Sequence, residues 1–396
     1  MDTERFRRSP ASRLVQVGAG KAAYWAFVPH PLPPHLEWTP GLVRSLSQAD
    51  RALGELAGLG RALPNPHLLV GPFIRREAVL SSRIEGTRTD LRHLYVYEAG
   101  QLALPGLEPT PPESDVHEVL NHVRALEYGL KRLDTLPVSL RLIREVHARL
   151  LEGVRGETGT PGEFRHSQNW IGPRGCTLNE AAFVPPPPDE LMPALDAFER
   201  YLYAEDSYPP LVRLAFLHYQ FEAIHPFIDG NGRMGRLLVV LLLVHWGLLP
   251  LPLLYLSAYF EQHREDYYRL LLEVSAAGAW QEWADFFLRG VAEQAQDAIG
   301  RLRHLQDLQL AWKDRLSKPR ASTNLLRLAD YLFESPVVTI PQAADTLKVT
   351  YPAAQRLVER LVVENILEPL EQRARGKTFV APAILAVMRP DLRSEL

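Results

Sequence analysis

The chain has 396 residues, 46% of them hydrophobic and 23% charged, with a formal net charge of -3 at pH 7. That length supports two or three domains with cores of their own and excludes a single small scaffold. The balanced charge gives no global pull toward nucleic acid or a membrane surface. The single cysteine, Cys176, rules out an intrachain disulfide and fits a reducing compartment.

The first sixteen residues are charged and lack the apolar stretch of a signal peptide, so a cytoplasmic location is expected. Prolines cluster at 29–34, 105–112 and 185–188 and mark joints between elements. Between the first two clusters, residues 39–59 and 72–97 carry apolar side chains at three- and four-residue spacing. This predicts a helical N-terminal region over 1–112. The spacing continues over 114–151 and is clearest at 140–151. Residues 153–184 then bring scattered glycines, Gln168-Asn169-Trp170-Ile171-Gly172 and Ala182-Phe183-Val184, which predict a short β-hairpin or extended flap.

Helical patterning resumes near residue 189 and runs to 310, with breaks at 225–230 and 247–252. The most apolar run, 237–244, is followed by His245, Gly247, Pro250 and Pro252. It falls short of the roughly 20 apolar residues a spanning helix needs, so a buried core helix is expected and no membrane partner. A charged connector at 298–318 leads to a unit over 319–396. Its predicted helices (325–333, 339–348, 351–364) and candidate strands (366–369, 377–380) have the order of a winged helix-turn-helix. The expected fold is mainly α: a helical core at 113–297 with a flap, between the N-terminal helical region and the winged-helix domain.

Chemistry concentrates at His225-Pro226-Phe227-Ile228-Asp229-Gly230-Asn231-Gly232-Arg233-Met234-Gly235-Arg236. Pro226 disfavours helical backbone at His225 and so places the imidazole on a turn. Its ordinary pKa near 6.5 suits proton abstraction at neutral pH. Gly230, Asn231 and Gly232 give permissive backbone where a helix starts, so amides and helix dipole face one spot able to bind phosphate. Arg233 and Arg236 share a helix face and can grip adjacent phosphates. Asp229 sets a carboxylate among phosphate oxygens, an arrangement that suits Mg²⁺.

Eight positions of this segment match the signature His-x-Phe-x-Asp/Glu-Gly-Asn-Gly-Arg-x-x-Arg, and the chain therefore resembles the Fic family of protein adenylyltransferases. The resemblance implies that His225 acts as general base toward a target hydroxyl attacking the α-phosphate of ATP. It also implies Mg²⁺ on Asp229, an anion cradle from Gly230, Asn231 and Gly232, and Arg233 and Arg236 on the outer phosphates. Trp170, Ile171, Gly172, Phe183 and Val184 resemble the family's target-binding flap. Tyr255, Tyr259, Tyr267 and Tyr268 fall in segments that resemble the adenine side of the family's pocket, with Tyr259 and Tyr267 the expected contacts and the tyrosine that touches the base left open. Ser81-Ser82-Arg83-Ile84-Glu85-Gly86 resembles the inhibitory motif, in which Ser81, Glu85 and Gly86 would hold a carboxylate on Arg236 in place of the γ-phosphate.

Three alternatives stay open from the sequence: a transcriptional regulator working through the winged helix, a docking protein, and an enzyme that mainly removes AMP. DNA is the weaker partner, because lysines and arginines hardly outnumber acids in residues 320–396, where Arg356 and Arg360 lie on the recognition helix. The target protein, which includes the chain itself, and a homodimer also stay open.

Overall fold

The computed structural model describes residues 3–20, 23–63, 66–100, 112–154, 159–173, 175–205, 207–317, 322–370 and 377–389. After a short helix, α1 (Thr3–Phe6), the chain forms an antiparallel hairpin of β1 (Ser12–Val17) and β2 (Tyr24–Pro29), with Ser12 opposite Pro29 and Val17 opposite Tyr24. The expectation of helix alone in this region is corrected here. Tyr24, Trp25, Phe27 and Val28 are aromatic or β-branched residues that fit a pleated, half-buried surface.

The helices that follow begin where their caps lie. Thr39 accepts the Leu42 amide at the start of α2 (Pro40–Ala62), and Asp90 accepts the His93 amide ahead of α4 (Leu91–Glu98). Between them runs α3 (Pro66–Ile84). α5 (Glu113–Arg132) and α6 (Leu140–Leu150), the latter capped by Ser139, complete the N-terminal half. α7 (Pro188–Tyr203), α8 (Pro210–Ile224) and α9 (Asn231–His245) follow, then α10 (Ser257–Gln262), α11 (Arg264–Ala277) and the 37-residue α12 (Trp280–Leu316). Every residue from 233 to 243 is buried, so α9 is the central rod around which α3, α5, α6 and α8 pack.

The C-terminal segment forms α13 (Thr323–Glu334), β3 (Val337–Thr339), α14 (Ile340–Leu347), α15 (Tyr351–Val363), β4 (Glu368–Pro369), β5 (Thr378–Val380) and α16 (Pro382–Met388), with strands in the order β3-β5-β4. It does not stand apart from the rest. α13 packs along α3, Trp312 meets Phe333 at 5.1 Å, and Tyr95 and Val96 of α4 share a cluster with Val337, Val380 and Leu385. Buried Arg301 of α12 is held by Asp297 at 2.7 and 2.9 Å and donates to the carbonyl of Arg389 at 2.7 Å. Among the described residues, no helix is long and apolar enough to cross a membrane.

Candidate active site

α8 is almost wholly apolar and buried, and it ends at His225, whose backbone is left-handed (φ 50°, ψ 60°). The turn that follows is held from outside its own segment. Arg165 is buried and donates to the carbonyls of His225 (2.9 Å), Ser167 (3.2 Å), Pro186 (2.6 Å) and Ile224 (3.4 Å). Asn169 donates to the carbonyls of His225 (3.2 Å) and Phe227 (2.8 Å). Without such donors these carbonyls would be orphaned at the end of a buried helix, so Arg165 and Asn169 fix the loop's path.

The His225 imidazole is partly buried, with Nδ1 3.3 Å from the carbonyl oxygen of Glu222. Donation there leaves Nε2 as the basic nitrogen. Burial lowers the His225 pKa to about 4, against the opposing hydrogen bond to Glu222 and with help from nearby Arg165. The ring is therefore neutral at pH 7, and the value near 6.5 expected from the sequence is corrected downward.

Phe227 points into the core, and its backbone is stapled by Asn231: Phe227 N–H donates to Oδ1 and Nδ2 donates to Phe227 O, both at 2.8 Å. The Asn231 side chain is thus spent on the loop, and its backbone amide is the group left to face an anion. Gly230, at φ 77°, precedes the first turn of α9, and Met234 N–H to Gly230 O (2.9 Å) is the bond that opens the helix. The amides of Asn231, Gly232 and Arg233 are left without an intrahelical partner at the helix's positive end. Gly230 N–H itself is taken by Asp229 Oδ1 at 2.5 Å.

An acidic side chain of the chain already sits at this helix end. A Cβ built on Gly232 would lie 2.5 Å from Glu85 Oε1 and 3.0 Å from Arg236 Nη1. Arg236 donates to Glu85 Oε1 at 2.8 Å, to Ser81 Oγ at 2.9 Å and to Ser81 O at 2.9 Å. Burial pushes the Glu85 carboxyl up, but Arg236, Arg233 and His225 outweigh it and hold the pKa below its ordinary value. Gly86 follows at φ 99°, in the left-handed region that favours glycine.

Arg233 lies differently from the expectation that it meets phosphate alongside Arg236. It is buried against Glu118 of α5 (3.1 Å) and stands 3.6 Å from Asp229 Oδ1. A buried guanidinium needs a buried carboxylate, so Arg233 serves first to set Asp229 and α9 on α5. Asp229 keeps 42% of its side chain exposed.

Two further expectations are corrected. Tyr259 is buried against Gly290 and Phe286, and Tyr267 is buried with its hydroxyl 2.9 Å from His218 Nε2, so neither offers a free ring face. Their neighbour Tyr268 is 44% exposed and lies near Glu85 and Arg236. In the flap, among the described residues, the expected hairpin or extended segment is closed by a bridge of Ile171 with Phe183 (2.9 and 3.0 Å). Phe183 packs on Phe27 at 5.0 Å, and Val184 O accepts the Phe27 amide, so both belong to the core under the β1–β2 hairpin. Trp170 and Ile171, about two-fifths exposed, and Gly172 remain on the outside.

The sequence reading missed the roles of Arg165, Asn169, His147 and Glu118. A buried arginine or histidine carries no local mark of a partner far along the chain. Tyr268 is one of the tyrosines that the sequence sets on the adenine side of the pocket.

Residues 43–131 match the model of the Fic/DOC family N-terminal, and residues 137–243 match that of the Fic/DOC family. A "Protein adenylyltransferase Fic" of Drosophila persimilis is 35% identical over 158 residues, covering 39% of this chain and 28% of that protein. The protein of the same name from Drosophila grimshawi is also 35% identical, with 29% of its length covered. The chain thus spans little more than a quarter of those relatives. Among solved structures, a Fic family protein from Desulfovibrio desulfuricans G20 shares the fold at a TM-score of 0.57, with 19% identity over 88% of this chain and 98% of that one. From residue 43 to residue 243 the chain carries the Fic/DOC family N-terminal and Fic/DOC family domains.

Proposed function

We propose that the chain is a protein adenylyltransferase that moves AMP from ATP to a protein hydroxyl and is held back by Glu85. One observation carries this reading: a carboxylate of the chain sits on Arg236 at the open end of α9, among the groups a polyphosphate would need and beside a neutral histidine. Helix ends with free amides and a buried guanidinium favour anions, and Glu85 acts as a resident stand-in for one.

In the transfer step, His225 Nε2 takes the proton of the target hydroxyl. The hydroxyl oxygen forms a bond to the α-phosphorus, and the bond from that phosphorus to the bridging oxygen of the leaving group breaks. Pyrophosphate leaves with the electron pair. The amides at the start of α9 and Arg236, once free of Glu85, hold the phosphates in line with that attack. Asp229 fits a magnesium ion, since one partly exposed carboxylate beside phosphate oxygens is the usual protein share of such a site. Bound there, Mg²⁺ would offset charge on the phosphates and the leaving group. Among the described residues no three His, Cys, Asp or Glu side chains form a metal cage, so the nucleotide must supply most of the ligands.

Trp170 and Ile171 would line the approach of the target, and Tyr268 is the tyrosine able to reach the base. The C-terminal arrangement of four helices and three short strands supports the winged-helix reading of that unit.

Mass spectrometry of the protein after incubation with ATP and Mg²⁺ tests the reading. We expect a gain of one AMP unit on the chain or on an added protein, larger in Glu85→Gly. A gain of a phosphoryl unit, or no transfer by a folded Glu85→Gly protein to any protein offered, would overturn it.

A further inference from the structure

One polar side chain reaches the underside of the active loop from α6. His147 is fully buried, and its ring stacks on Phe227 with centroids 3.6 Å apart and planes 5° from parallel. Gly162 N–H meets Nδ1 at 3.0 Å, and Nε2 lies 3.0 Å from the carbonyl oxygen of Asp229. A backbone amide can only donate, so Nδ1 carries no proton. The ring then has its one N–H on Nε2, pointing at Asp229 O.

These two bonds tie the root of the flap to Asp229, beside the links that Arg165 and Asn169 make from the flap to His225 and Phe227. Gly162, at φ 84°, is the root from which residues 163–172 of the flap depart, and Asp229 is the exposed carboxylate of the loop. The approach is close enough to need glycine on the loop side. A Cβ on Gly230 would stand 3.4 Å from His147 Nε2 and 3.3 Å from Leu151, on a backbone already at positive φ. A residue that only filled space would be satisfied by stacking. This one spends both ring nitrogens on backbone groups of the two segments that flank the proposed reaction.

We propose that His147 is a positioning residue for the transfer reaction, fixed as the Nε2–H tautomer, which holds Asp229 by its carbonyl and ties that position to the root of the flap. The role rests on the AMP-transfer reading. Outer groups of this kind typically alter metal affinity or activity by about 10- to 100-fold when lost.

Three variants in a Glu85→Gly background separate the two bonds from the stacking. His147→Gln keeps a donor for Asp229 O, His147→Asn keeps an acceptor for Gly162 N–H, and His147→Phe keeps only the stack. We expect kcat to fall about 10- to 100-fold in the Phe and Asn variants. In calorimetry, the Mg²⁺ concentration needed to support ATP binding should rise by a similar factor, while the Gln variant stays within about threefold of the parent. Proton–nitrogen correlation spectra of histidine-labelled protein at neutral pH should give the Nε2–H pattern for His147.

An Nδ1–H pattern overturns the proposal, as do equal Mg²⁺ dependence in the Gln and Asn variants or a Phe variant equal to an active parent. If the Phe variant does not fold, the Gln and Asn pair decides. A folded parent that transfers no AMP overturns the functional reading and the role built on it. That result is distinct from an active parent whose His147 variants match it.

Discussion

Replacing Glu85 by glycine removes the anion that sits on Arg236 and should tighten ATP binding. The contact is one charge-assisted hydrogen bond of 2.8 Å to a buried guanidinium, with Glu85 33% exposed at its side chain. Such a bond contributes about 1.5–3 kcal/mol, and partial exposure to water lowers that to roughly 1–2 kcal/mol. ATP, relieved of this competition, should bind about 5- to 30-fold more tightly. Calorimetry with wild type, Glu85→Gly, Arg236→Ala and the double variant isolates the coupling. The gain should vanish when Arg236 is absent, because the freed guanidinium is the group that takes the phosphate. A folded Glu85→Gly protein that binds ATP no better than wild type, or a double variant that keeps the gain, would refute the competition argument.

Acid should weaken the fold in a defined window. His122, His147, His218 and His225 are kept neutral with pKa values of about 3 or 4, in each case chiefly by burial, against an ordinary 6.5. Their contribution is complete above pH 6.5 and is lost as pH falls toward 4, because the unfolded chain takes up protons the folded one refuses. Glu77 and Glu222 work the other way: burial raises both to about 7, so they favour the fold as pH drops below that value. Four groups against two leaves a net loss between about pH 6.5 and 4.5, which urea unfolding at neutral and mildly acid pH measures; equal stability at both would contradict the assignment. Deleting residues 319–396 should destabilise what remains, since it uncovers Tyr95, Val96 and the α13-facing side of α3. A truncated protein that melts like the full chain would show that this interface contributes little.

The loop and its helix were legible because the chain writes them contiguously. Proline after histidine, glycines at a helix start and two arginines one turn apart state their geometry within twelve residues. The division between Arg236 and Arg233 was not legible, because it depends on which guanidinium finds a buried carboxylate. Glu118 lies 115 residues before Arg233, and Glu85 lies 151 before Arg236. Glu85 itself was reached through family resemblance and position, not through its spacing. Arg165 and His147 reveal nothing locally, since their partners are backbone atoms brought in by tertiary packing. The flap was legible from its glycines and apolar ends, but the inward packing of Phe183 and Val184 was not, because Phe27, which draws them in, lies far off in the sequence.

The most direct test of the central claim is the fate of labelled ATP. Glu85→Gly protein and its Glu85→Gly, His225→Ala counterpart are incubated with ATP labelled at the α- or at the γ-phosphate, and protein-bound label is measured. Protein should acquire α-label and no γ-label, and the second protein should acquire at least about a hundredfold less while still binding ATP, as loss of a general base dictates. Protein-bound γ-label, or α-label that survives the loss of His225, would contradict it.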